Sequence, residues 1–260
     1  MNCRQIPLIL LPAALLIFAL PCTAFSADLA IPEKPSYLWQ KKLPLTIPNS
    51  PLVTDLDADG HLEAILTDIE GRVILISTES GKVLWKTRVE PCGSLTPPIA
   101  GDFLDEGRMD VLVGCSSGNV FLINGTTGRI LGRHETGDKI LMAPTLVPMQ
   151  APDGRRKAGA VFSDDRGVVS LIEFLRNPAS ETNDAKDALA TTGNIHWSVH
   201  LNARITSPLS VGPVTHRDAV NIIAPISNGD LVIFNRDNGR EIIRFANFAN
   251  REILTIPALA

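Results

Sequence analysis

A repeat of about 46 residues runs through the chain and limits its possible folds more than any other feature. Three markers carry it. One is a glycine after a small or polar residue, in two units followed four positions on by Trp: Ser80-Gly81…Trp85, Thr127-Gly128…Gly132, Thr192-Gly193…Trp197 and Asn238-Gly239…Ile243. The others are a proline that opens each unit and a turn glycine: Pro51, Pro98, Pro144, Pro208 and Pro257, with Gly71, Gly118, Gly167 and Gly229. Because three independent markers keep one register, chance does not explain the period.

Each unit contains four short runs rich in Val, Ile and Leu, separated by turn residues. The first unit reads PLVTDLD, LEAILTD, RVILIST and VLWKTRV, and the second follows the same plan. Four short strands in a unit of this length are typical of a propeller blade, whose sheet is apolar on both faces and stacks against a neighbour on either side. The sequence therefore predicts an all-β protein, a β-propeller with blades at about 48–90, 93–137, 141–202 and 205–248.

The third unit is longer than the others. Between Leu175 and Thr191 the sequence turns rich in Asn, Asp, Ala and Ser, which predicts a surface loop inserted into this unit. Residues 37–43 and 251–260 predict partial blades at the two ends, an outer strand and an inner strand respectively. We therefore expect four full blades in an open, incomplete propeller that is a fragment of a longer protein.

Composition excludes several other classes. Hydrophobic residues make up 45% of the chain, which excludes disorder as its main state. The 19 Gly and 19 Pro would interrupt long helices repeatedly, so a coiled coil is excluded as well. A net charge of -4 without a basic run offers no surface for a nucleic-acid backbone, so we expect no nucleic-acid partner.

Residues 1–27 have the three-part pattern of a secretory signal peptide. Arg4 precedes an apolar stretch at 6–20, and small residues end at Ser26 and Ala27. A membrane anchor is the alternative, but prolines interrupt the stretch, which is shorter than the roughly 20 residues needed to span a bilayer. We expect cleavage near Ser26 or Ala27 and no transmembrane span in the mature chain. The mature protein would be periplasmic, or extracellular at the cell surface.

Export also bears on the cysteines. Removing the signal peptide leaves Cys92 and Cys115 in an oxidising compartment. Cys92 precedes the first strand of the second unit and Cys115 ends its second strand, so antiparallel order brings both to the same end of the blade. We predict a structural disulfide, which would close a loop of 24 residues. Two free buried thiols or a redox site are the alternatives, although no Cys-x-x-Cys is present.

Two segments resemble known repeat families. Residues 75–85, LISTESGKVLW, are similar to the repeat of quinoprotein (PQQ-like) propellers, in which a Thr-Gly turn is followed by Trp. Residues 50–60, SPLVTDLDADG, resemble the FG-GAP or VCBS repeat of integrin-like propellers. Together the resemblances cover about residues 37–260. They imply the propeller fold and little about activity, because these repeats occur in many unrelated proteins.

The sharpest local motif is a row of alternating carboxylates, Asp55-x-Asp57-x-Asp59-Gly60-x-x-Glu63. A loop of this kind wraps its oxygens around one hard cation, and Ca²⁺ accepts six to eight of them. We therefore predict a calcium site formed by Asp55, Asp57, Asp59, Glu63 and the backbone carbonyl of His61. An acidic hairpin turn without an ion is the alternative.

The second unit keeps part of this motif. It has Asp102, Glu106, Gly107 and Asp110, but Leu104 stands at the second ligand position, which argues against an ion there. The third and fourth units predict ordinary turns at this point.

No catalytic constellation is evident in the sequence: it has no nucleophile elbow, no metal-protease His pair and no phosphate-binding glycine loop. The leading hypothesis is an exported, non-enzymatic propeller that binds a protein partner as a binding or assembly scaffold, with calcium stabilising one blade. Alternatives are a portion of a PQQ-dependent or other propeller enzyme, and a cell-surface adhesion module. Nothing beyond the repeat matches a quinoprotein, so PQQ is not expected as a cofactor.

Overall fold

A computed structural model describes residues 38–151, 153–177 and 190–246, and these residues form sixteen β-strands and no helix. The predicted signal peptide and the predicted strand at 251–260 lie outside this range. The strands are β1 (Leu52–Thr54), β2 (Glu63–Thr67), β3 (Arg72–Ser77), β4 (Val83–Arg88), β5 (Ile99–Gly101), β6 (Asp110–Cys115), β7 (Asn119–Asn124), β8 (Ile130–Glu135), β9 (Thr145–Gln150), β10 (Arg156–Ser163), β11 (Val168–Arg176), β12 (Thr191–His200), β13 (Ser210–Gly212), β14 (Asn221–Pro225), β15 (Leu231–Asn235) and β16 (Glu241–Phe245).

Every four consecutive strands form one antiparallel meander in chain order, and we number these sheets blade 1 (β1–β4) to blade 4 (β13–β16). The predicted fold class, an all-β propeller of four-stranded blades, is confirmed. Among the described residues no strand of blade 4 pairs with a strand of blade 1. No described helix is long and apolar enough to cross a membrane.

The core lies between successive blades in three apolar layers. Val73 and Leu75 of blade 1 pack with Val111 and Phe121 of blade 2, and equivalent clusters join blade 2 to blade 3 and blade 3 to blade 4. Strands β6 and β7 are buried along their whole length because blade 2 has a neighbour on each face. The nearly continuous apolar runs in the sequence are explained by this burial on two sides.

All four blades share one irregularity in the outer strand. Each has a β-bulge whose extra residue directly precedes the Trp position of the repeat, and these extra residues are Leu84, Leu131, His196 and Ile242. A bulge bends the strand and re-aims the side chain that follows it. Trp85 and Trp197 consequently reach the next blade, where their indole N–H groups donate hydrogen bonds to backbone carbonyls.

Most of the insertion predicted in the third unit, residues 178–189, lies outside the described residues. Arg176 is the last residue of β11 and is therefore strand and not loop, while Leu175 and Thr191, which flank the predicted loop, lie in β11 and β12. With nine and ten residues, this hairpin is the longest of the four. Its extension is stabilised by a new partner, because Thr191 and Thr192 pair in parallel with β8 of blade 2.

The predicted outer strand at 37–43 is wrong over its described residues, since residues 38–43 form no strand. A strand needs a bonded neighbour, and the described chain places none beside this segment. Trp39, which lies 46 residues before Trp85, nevertheless contacts blade 1. Its Nε1 donates to the Thr78 carbonyl at 2.6 Å, and its ring lies against Gly81.

Candidate metal centre

The loop that joins β1 to β2 carries the predicted calcium motif, and we call residues 55–63 the first acidic loop. Two left-handed residues, Ala58 (φ 61°) and Gly60 (φ 90°), fold the loop back on itself. Asp55 closes the turn, because its carboxylate accepts the N–H groups of Asp59 at 3.2 Å and Gly60 at 3.0 Å. This Asx-type bonding explains why Asp and Gly are needed at these positions.

Three carboxylates converge in the first acidic loop. One oxygen each from Asp55, Asp57 and Glu63 lies within 4.8 Å of the other two. Glu63 belongs to β2 and is 5% exposed, and its Oε2 accepts the Leu56 N–H at 3.0 Å. Asp57 is exposed, so a cation can reach the group from solvent. Three oxygens at these separations fit the coordination of one hard divalent cation.

The other two predicted ligands make different contacts. Asp59 lies outside the converging group, and its Oδ1 accepts the His61 N–H at 2.8 Å. The His61 ring lies beside Glu79, with Nδ1 2.7 Å from the carboxylate. The hydrogen bond to Glu79, its charge and the charge of Asp59 raise the pKa of His61. The structure thus brings together three of the four predicted side-chain ligands, Asp55, Asp57 and Glu63.

The negative charges of the three converging carboxylates are not balanced by a described Lys or Arg side chain. Burial raises the pKa of Glu63, and the negative charges of Asp57, Asp59 and Asp55 raise it further against the opposing Leu56 N–H. Within the described ranges no Lys or Arg forms an ion pair with Asp55, Asp57 or Glu63. The carboxylates repel one another without a compensating side chain, and a bound cation would relieve that repulsion.

Cys92 and Cys115 lie at the other end of the sheet. Cys92 is in the connection between blades 1 and 2, Cys115 ends β6, and the structure joins them in a disulfide with their Cα atoms 5.8 Å apart. They are 23 positions apart in sequence. Closing a loop of this size restricts the unfolded chain and contributes about 3 kcal/mol to stability.

A concave surface at the inner strands is the main feature that sequence reasoning missed. It encloses about 540 Å³ where β5, β9 and β13 approach one another, and apolar side chains line most of it. The unit-opening prolines Pro144 and Pro208 belong to its wall, with Pro97 beside them. The regular proline spacing was the available signal, since it places one proline per blade next to the inner strand.

Comparison with known proteins supports the fold. No protein-family model matches the sequence, and no curated protein matches it. Among solved structures, the chain is similar to BamB from Moraxella catarrhalis, with 18% sequence identity and a TM-score of 0.50. The likeness covers 79% of this chain and 55% of BamB, so the chain spans about half the length of that protein. At this identity the likeness concerns architecture alone, and the architecture is that of a β-propeller.

Proposed function

We propose that this chain is an exported β-propeller scaffold that binds a protein partner, has no catalytic activity of its own, and is stiffened in its first blade by a calcium ion. The observation that carries the proposal is the convergence of Asp55, Asp57 and the buried Glu63, with which no described Lys or Arg forms an ion pair. The resemblance of residues 50–60 to FG-GAP or VCBS repeats supports the same ion.

Calcium fits this loop better than magnesium. The three carboxylates lie on a short curled loop, in which the backbone carbonyl of His61 is a further oxygen ligand of the proposed site. Ca²⁺ tolerates such an irregular set of protein oxygens, whereas Mg²⁺ requires near-ideal octahedral geometry and retains several waters.

A cation in this loop would act on the packing between blades 1 and 2. Leu56 lies between two of the proposed ligands in sequence, is 2% exposed and belongs to the apolar layer of that junction. It also lies against Gly125 of blade 2, where an added Cβ would be 3.2 Å from Leu56 Cδ2. Holding Asp55 and Asp57 on one ion would restrain the backbone that positions Leu56.

The architecture and the predicted export support the scaffold role. Stacked blades form a rigid body with a large surface, and repeat folds of this kind present binding surfaces without chemistry of their own. The signal-peptide pattern of residues 1–27 and the Cys92–Cys115 disulfide both agree with an oxidising compartment.

Thermal unfolding tests the calcium site. At about one hundred times its dissociation constant, an ion that binds only the folded state adds about 2.7 kcal/mol, a rise of about 5–10 °C in the melting midpoint. Asp57→Asn is expected to abolish this rise. Asp218→Asn, an exposed position in the corresponding loop of blade 4, is the matched control and should retain it.

Two results would contradict the proposal. If the melting midpoint of the wild-type protein were the same in calcium and in chelator, the proposed calcium site would be wrong. Saturable PQQ binding together with dye-linked dehydrogenase activity would replace the scaffold by an enzyme.

A further inference from the structure

Blade 2 contains a second loop with the backbone course of the first acidic loop, and we call residues 102–110 the second acidic loop. Asp102 takes the place of Asp55, and its carboxylate accepts the N–H groups of Glu106 and Gly107, each at 2.9 Å. Left-handed residues recur at Asp105 (φ 58°) and Gly107 (φ 72°). Because the two loops share a backbone conformation, the charged side chains around them can be compared directly.

Three arginine side chains form ion pairs with the second acidic loop. Arg155 lies with Nη2 2.8 Å from Asp105 Oδ2, and its Nη1 donates to the Asp105 carbonyl at 3.3 Å. Glu106 forms ion pairs with Arg108 and Arg176. Arg155 precedes β10 and Arg176 ends β11, so two of the three guanidinium groups come from blade 3.

These ion pairs are partly shielded from water on the acidic side. The side chains of Asp105 and Glu106 are 16% and 12% exposed, although their arginine partners are mostly exposed. Hydrogen bonding to Asp153 and the charges of Asp105 and Asp153 raise the pKa of Arg155. Shielded carboxylates need a nearby positive charge, and here guanidinium groups provide it.

The same loop is held against blade 3 by backbone contacts. The Ala158 N–H of β10 donates to the Asp102 carbonyl at 2.7 Å. Directly before it, Gly101 permits a close approach, since an added Cβ would lie 2.7 Å from Leu146 Cδ1 and 3.0 Å from Ala158 Cβ. The second acidic loop is thus part of the junction between blades 2 and 3.

We propose that the second acidic loop is a metal-free ionic clasp between blades 2 and 3, in which Arg155 and Arg176 pair with Asp105 and Glu106, the residues at the positions of Ala58 and Asp59 in the first acidic loop. The clasp does not depend on calcium binding in blade 1. It stabilises the one junction between described blades whose Trp position is occupied by glycine, Gly132.

A double-mutant cycle tests the clasp. Asp105→Asn and Arg155→Gln are each expected to lower the melting midpoint by about 2–4 °C at low salt, and the double variant by about as much as one single variant. Added 1 M NaCl should shrink these differences, because salt screens exposed guanidinium groups. Glu135→Gln, in the exposed Arg133–Glu135 pair within one strand of blade 2, is the control and should change the midpoint by less than about 1 °C. Additive losses in the cycle would overturn the clasp.

A calcium titration in the Asp57→Asn background tests the metal-free state separately. Without the first site, we expect calcium to leave the melting midpoint unchanged. A calcium-dependent rise that Asp102→Asn then removes would show an ion in the second acidic loop and overturn the proposal. Failure of calcium binding in blade 1 would leave the double-mutant cycle unaffected, so the two proposals fail independently.

Discussion

The junction between blades 2 and 3 differs from the junctions on either side of it. At the flanking junctions a tryptophan of one blade packs on a turn glycine of the next. Trp85 donates to the Gly125 carbonyl at 2.7 Å and lies against Gly128, and Trp197 donates to the Arg236 carbonyl at 2.6 Å and lies against Gly239. The recurring Trp and Gly of the sequence are thus two halves of one contact between neighbouring blades.

Two constraints favour glycine in these turns. Gly128 and Gly239 adopt φ values of 71° and 67°, which other residues rarely adopt. An added Cβ would also lie 2.7 Å and 2.6 Å from the tryptophan rings. Backbone conformation and ring packing therefore select the same residue.

The central junction meets the same need with other residues. Gly132 stands at the Trp position, and the extended β11–β12 hairpin of blade 3 fills the space. Thr191 donates to the Leu131 carbonyl at 3.2 Å, and Phe174 packs in the apolar layer between the two blades. Strands β11 and β12, which flank the predicted insertion, are therefore part of the interface with blade 2.

Loss of a junction tryptophan is expected to have the largest effect. Trp85→Ala removes a ring that is 9% exposed together with its hydrogen bond, and should cost about 3–5 kcal/mol in the free energy of unfolding. Trp39→Ala, the same contact on a residue that is 37% exposed, should cost about 1 kcal/mol. Urea titration of both variants measures the difference. Equal losses would show that burial between two full blades does not set the strength of this contact.

The buried Asp110 should make the central junction sensitive to pH. Both of its carboxylate oxygens lack a hydrogen-bond partner among the described residues. Burial raises the pKa of Asp110 to about 6; the charge of Arg108 opposes this shift and the charge of Asp102 adds to it. Because the folded state holds this proton more tightly than the unfolded state, stability is lost as pH rises from about 4 through 6. The shift corresponds to about 3 kcal/mol.

Asp110→Asn tests this pH dependence. Blade 4 has Asn221 at the same position, where its Oδ1 accepts the N–H groups of Val214 and Thr215, so a neutral side chain suits the site. The variant should be more stable than wild type above pH 7 and should flatten the profile between pH 4 and 7. The free energy of unfolding of both proteins should be measured across this pH range. Equal pH dependence of the two would contradict the prediction.

A smaller effect is expected from adding one methyl group at the central junction. In Gly132→Ala the new Cβ would lie 2.1 Å from Thr191 Oγ1 and 3.2 Å from Phe174, so the hairpin has to shift at a cost of about 1–3 kcal/mol. Adding Thr191→Ala removes the nearest atom and should recover part of the loss in urea titrations. If Gly132→Ala were neutral, close packing of the hairpin on blade 2 would not be what holds this junction.

Much of the candidate metal centre could be read from local sequence. Asp55 and Gly60 dictate the turn, and alternate carboxylates bring Asp55 and Asp57 near Glu63. The position of Asp59 outside that group, where its Oδ1 accepts the His61 N–H, could not be foreseen, because it depends on how the whole loop curls. For the second acidic loop, the sequence showed only that Leu104 replaces one of the ligands. It did not show the ion pairs of Asp105 and Glu106, because their partners Arg155 and Arg176 lie about 50 and 70 positions away along the chain.

Local sequence is enough to specify the blades, because strand period, turn glycines and bulged outer strands are local properties repeated every 46 residues or so. Tertiary structure decided how neighbouring blades are joined. Whether a junction uses a tryptophan, a parallel strand pair or arginines depends on contacts between distant residues such as Thr191 and Leu131. Such contacts do not repeat along the sequence, because each depends on the shape and charge of one particular neighbouring blade.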